Sequence, residues 1–160
     1  MTVISSTRNL DALTLVFVTE FDATPERVWQ VWEDPRQLER WWGPPDWPAT
    51  FVRHDFTVEG QSRYFMSGPD GEKSNGYWRI VALDEPHSLE FDNGLAADDG
   101  EPVPDLLPGR GIVTIEPFGA KTRMTVVNRF VDTAQMEMML GMGMAEGMGQ
   151  ALGQLDDILG

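Results

Sequence analysis

Cysteine is missing from all 160 residues. That excludes a disulfide scaffold, a thiolate metal site and a cysteine nucleophile, and it fits a reducing compartment. Long apolar runs are missing too. No stretch approaches the ~18 apolar residues of a membrane span. Residues 1–11 are polar, without the apolar centre of a signal peptide. A cytoplasmic chain with no membrane insertion is therefore expected. Positive charge is scarce: 12 Lys and Arg stand against 26 Asp and Glu, for a formal net charge of -14. Such a field repels phosphate backbones and anionic lipid, so no nucleic-acid partner is expected, and the acidity reads as a solvated surface.

Chemical motifs are equally sparse. The two histidines, His54 and His87, fall on separate expected strands with no HExxH-type spacing, so no metal site is expected. No Gly-x-Ser-x-Gly nucleophile elbow occurs. The glycine-rich tract 141–149 is no dinucleotide loop. Glu146 stands where the third glycine belongs, and no strand-to-helix turn precedes it. No cofactor is expected.

What is present reads as one domain over 1–160, of a length that buries about two thirds of its unfolded surface. Residues 12–21 alternate as a strand that is apolar on both faces. Thr24 and Pro25 mark a helix start, with Val28, Val31 and Trp32 on one face. Pro35 ends that helix, and Leu38, Trp41 and Trp42 follow on a second short one. Strands are expected at 51–58, 62–66, 76–83, 88–92, 111–117 and 122–130. They are punctuated by the Gly68-Pro69-Asp70-Gly71 turn and a hairpin turn at 118–121. Residues 96–108, acidic and proline-rich, read as a solvated loop whose spacing fits no EF-hand.

A long helix is expected over 133–159, with Leu140, Met144, Met148, Leu152 and Leu155 on its apolar face. Its five glycines each cost about 1 kcal/mol relative to alanine, so packing must hold it. Met138, Met142, Gly149 and Gly153 lie opposite, a face suited to weak homodimer formation. The order is α+β, with the last helix across an antiparallel sheet.

The stretch from Phe21 to Trp29, then Trp32, Asp34-Pro35, Leu38 and Trp41-Trp42-Gly43-Pro44, resembles the signature of the family of activators of the heat-shock-protein-90 ATPase. That family lies within the START and Bet v 1-like superfamily. The pattern continues through Pro69-Asp70-Gly71 and Thr122-Arg123-Met124-Thr125 to Leu155. The resemblance implies a helix-grip fold: a curved antiparallel sheet of six to seven strands wrapped around a long C-terminal helix, with two short helices after the first strand. Relatives commonly carry Trp at the position of Met148 and an aromatic at that of Ser62, so the interior here is expected to be roomier. Eukaryotic activators of this chaperone carry a further domain ahead of this one, so direct co-chaperone activity is not expected.

A curved sheet gripping a helix leaves the middle of its concave face to be filled. By alternation, His54, Phe56, Tyr64, Met66 and Trp78 share the inner face, with Phe91 beyond. Met144 and Met148 descend from the helix, and Trp41 and Trp42 close one mouth. Apolar walls with a few polar groups describe a small-molecule pocket. The expected function is binding of a hydrophobic or aromatic small molecule between sheet and helix. Two alternatives stand beside it. One is a cyclase- or hydratase-like enzyme using His54 or an inward carboxylate such as Glu116. The other is a chaperone-associated protein.

Overall fold

A computed structural model describes residues 3–159; Met1, Thr2 and Gly160, the ends of the expected domain, lie outside the described residues. Its chain order is β1 (Val3–Asn9), β2 (Thr14–Phe21), α1 (Pro25–Glu33), α2 (Pro35–Leu38), β3 (Ala49–His54), β4 (Gln61–Ser67) and β5 (Lys73–Asp84). Then come β6 (Ser88–Leu95), β7 (Gly109–Phe118), β8 (Lys121–Arg129), α3 (Thr133–Gly141), α4 (Met144–Gly153) and α5 (Asp156–Leu159). The strands form one antiparallel sheet ordered β1-β2-β8-β7-β6-β5-β4-β3. The helices pack on its concave face, which is the expected α+β helix-grip arrangement.

The sheet has eight strands, not six to seven. The unexpected one, β1, is an edge strand whose residues from Ser5 to Asn9 are all exposed. Ser5 to Asn9 thus offer no buried alternation for a sequence reading to detect.

The first half of the concave face is solid. Thr24 Oγ1 accepts from Arg27 N at 3.2 Å and starts α1, with Pro25 in the first turn. Asp34 likewise accepts from Arg36 N at 2.9 Å and starts α2. Together α1 and α2 press Val28, Trp29, Val31, Trp32 and Leu38 onto the sheet. Trp32 meets Trp41 edge-on at 4.7 Å, and Trp78 stacks on Phe91 at 4.3 Å. Trp41 and Trp42 are not on a helix: they follow α2 in a turn, where Trp41 Nε1 donates to Val31 O at 2.9 Å. That bond satisfies a buried donor and anchors the turn.

The C-terminal helix is broken into three. Gly143 adopts φ +87°, a left-handed conformation that ends α3 and begins α4. A second irregularity at Gln154 and Leu155 separates α5. The break also undoes the expected dimerisation face. Gly149 points at Phe17 of β2, whereas Met138 and Met142 are exposed beside the sheet. These residues form no continuous stripe.

Candidate functional site

Between α3–α4 and the far half of the sheet lies a cleft of about 700 Å³. Small inward residues open it. β5 turns Trp78 and then Gly76 inward, and β7 turns Gly111 inward, so each of these two strands has an inward position that carries no side chain. Aromatic rings from adjacent strands lie over them instead. A Cβ at Gly76 would collide with the Tyr64 ring, and one at Gly111 would lie 2.6 Å from Cζ of Phe91. The Tyr64 ring borders the cleft, whereas the Phe91 ring is buried against Trp78 and leaves Gly111 itself facing the open space.

The floor carries few polar groups. Tyr64 donates its hydroxyl to Asn93 Oδ1 at 3.1 Å. Burial pushes this phenol up to about 12, although the nearby Trp42 and Trp78 indoles act in the opposite direction. It is therefore protonated at neutral pH. Asn128, buried on β8, donates through Nδ2 to Leu15 O at 3.1 Å and to Met148 Sδ at 3.2 Å. Apolar walls complete the cleft: Trp41 and Trp42 at one end, Met66 and Leu95 along the sheet, and Met139, Met144 and Met148 from the helices. Its mouth lies between α3 and the loop before β7. Leu106, Leu107 and Met142 are exposed there, and Gln135 Nε2 holds the loop by donating to Leu107 O at 2.6 Å.

Six expected site residues meet at this cleft: Trp41, Trp42, Tyr64, Met66, Met144 and Met148. Four do not. His54 is half-buried beside α1, with Nδ1 2.8 Å from Ser62 Oγ and Nε2 2.8 Å from Trp32 O. A carbonyl only accepts, so Nε2 carries the proton. Burial lowers the pKa of this ring, which holds it neutral. Phe56 packs edge-on to Trp29 at 5.5 Å, and Trp78 and Phe91 are fully buried beneath the aromatic cluster. Alternation gave His54, Trp78 and Phe91 the right face of the sheet, but α1 and α2 cover that half; β3 ends at His54, short of the expected 58, so Phe56 lies past the end of the strand. Glu116 is not inward at all: it is exposed beside the buried Ile115.

Asn93, Asn128 and the Leu106–Leu107 rim were not anticipated. Asn128 was legible, since it falls on the inward register of β8 between Val126 and Phe130. The rim's prolines and acids outnumber its leucines, so its sequence carries the pattern of a solvated loop. Among the described residues no group of three or more His, Asp or Glu side chains is placed to hold a metal ion, and no helix is long and apolar enough to cross a membrane.

A sequence profile described as Activator of Hsp90 ATPase homolog 1-like protein matches residues 22–160. The chain belongs to this family. A solution structure of a protein from Arthrobacter aurescens is similar to this member at 49% identity, with 99% of this chain and 92% of that one covered and a TM-score of 0.94. A crystal structure from Mycobacterium smegmatis shares 44% identity over 99% and 97% of the two chains, at 0.91. A Staphylococcus epidermidis protein, at 21% identity, covers 98% and 93% with a TM-score of 0.84 and shares the fold. Among curated proteins, nothing matches this chain.

Proposed function

We propose that this chain binds a hydrophobic or aromatic small molecule in the cleft between α3–α4 and the sheet. The observation that carries the reading is the cleft itself: about 700 Å³ of space with aromatic and methionine walls over a floor of two asparagines and a tyrosine. Small-molecule sites typically span ~300–1,000 Å³, mostly apolar with a few placed polar groups. Methionine side chains adapt to different occupants at low cost. Membership of the family is consistent with this role.

The enzyme alternative finds neither of its named acid–base residues at the cleft, because both ring nitrogens of His54 are engaged by Ser62 and Trp32 beside α1 and Glu116 faces outward. A chaperone contact rests on the family description alone. Stimulation of a heat-shock-protein-90 ATPase by the purified chain tests it directly.

Native mass spectrometry of the purified protein tests the binding reading. A co-purified small molecule at one per chain is expected, or saturable one-to-one uptake of an apolar probe. No uptake across fatty acids, flavonoids and polycyclic aromatics overturns it.

A further inference from the structure

The polar groups that face into the cleft are all uncharged. Ser74, Asn93 and Asn128 are neutral at every pH of interest, and Tyr64 keeps its proton. The charged residues at the cleft are otherwise engaged or lie at its edge. Arg110 is bound through Nε to Asp92 at 2.9 Å, and Arg129, its cross-strand neighbour, is exposed on the other face of β8. Asp132 caps α3 by accepting from Gln135 N at 2.8 Å, and Asp105 is exposed in the rim loop. Those two carboxylates stand at the mouth of a protein whose formal charge is already -14.

The amide of Asn128 is oriented by its neighbours. Leu15 O only accepts, so the nitrogen must face it, and the oxygen is the end left over. No hydrogen bond to that Oδ1 is made by any described residue, although Asn128 is 6% exposed. An acceptor left open to the cleft favours a donor, and an anion set against it would meet another lone pair and no hydrogen.

We infer that the cleft selects an uncharged ligand bearing a hydroxyl or N–H donor, with Asn128 Oδ1 as the acceptor, and that it rejects carboxylates and sulfonates. This rests on the ligand-binding reading above. Asn93 supplies the complementary group: its Oδ1 is taken by Tyr64, which leaves its Nδ2 to donate to a ligand oxygen. A phenol or alcohol on an aromatic skeleton satisfies both.

Two fluorophores share one skeleton and differ in charge: neutral N-phenyl-1-naphthylamine and its sulfonated analogue, 1-anilinonaphthalene-8-sulfonate. Titrated into the folded chain, the neutral probe should saturate at one per chain and bind at least about tenfold more tightly than the sulfonate. In competition, 1-naphthol should displace it and 1-naphthoate should not. Gly147→Leu, which projects a side chain toward Pro44 across the cleft, should abolish binding of the neutral probe. Equal or tighter binding of the sulfonate, or displacement by naphthoate, overturns the charge selectivity and leaves the binding site standing. Failure of both probes to saturate overturns the binding reading itself, and the selectivity with it.

Discussion

The Asn128 side chain donates to the Met148 sulfur across 3.2 Å, while its second amide hydrogen reaches Leu15 O at 3.1 Å. One nitrogen thus ties β8, β2 and α4 together at the edge of the cleft. Met148 is half-buried and has the cleft on its other side. Replacing it therefore changes the cleft before it changes the core.

Met148→Trp should be tolerated. The indole can extend into open space and bury further apolar area, worth about 25 cal/mol per Å². Thermal stability is expected to hold or rise, and probe binding to weaken in the same variant. A solid site would give the reverse, a loss of ~1–3 kcal/mol from overpacking with binding unchanged.

Gly111→Ala should destabilise by about 1–3 kcal/mol, because the new methyl meets the Phe91 ring at 2.6 Å and that ring is held against Trp78. Urea midpoints measure this. A neutral result would mean that the Phe91 ring shifts freely, contrary to the packing described.

The junction of α3 and α4 offers a paired test. Gly141 has open space around its Cβ position and a helical backbone, so Gly141→Ala should stabilise by roughly 0.5–1 kcal/mol. Gly143, at φ +87°, should lose about 1–2 kcal/mol on the same change. If both variants gain stability, the two helices are one continuous helix.

His54 makes stability depend on pH in a defined direction. Its folded pKa is lowered by burial, below the ordinary 6.5. Above that value the ring is neutral in both states and costs nothing. As pH falls through it, the unfolded chain takes up a proton that the folded chain refuses, and stability declines down to the folded pKa. Denaturant unfolding of the native protein and His54→Gln, at about pH 7.5 and about pH 5.5, isolates this contribution. The native protein should lose more stability across the interval than the variant; equal losses would show that His54 titrates normally.

Much of the fold was legible where a residue's local chemistry and its tertiary role coincide. Thr24 and Pro25 start α1 as their side chains require. Gly71 turns at φ +86°, with its N–H 3.1 Å from Gly68 O. The misreadings share a different cause. A helical wheel drawn through 133–159 assumes a continuous helix, and Gly143 resets the phase, so Met138 and Met142 reach the mouth of the cleft. Alternation assigns a residue to a face of the sheet but not to a position along it. His54 and Met66 share the inner face, yet α1 covers the first and the cleft opens over the second. Where the helices sit is a long-range fact that no local pattern of β3 or β4 contains.

The most direct measurement is a backbone amide NMR titration of the isotope-labelled chain with N-phenyl-1-naphthylamine. The account predicts saturable shifts concentrated at Asn93, Gly111, Asn128, Met144 and Met148, with His54 and Ser62 barely moved. Absence of shifts at saturating probe, or shifts centred on the His54 half of the sheet, would contradict it.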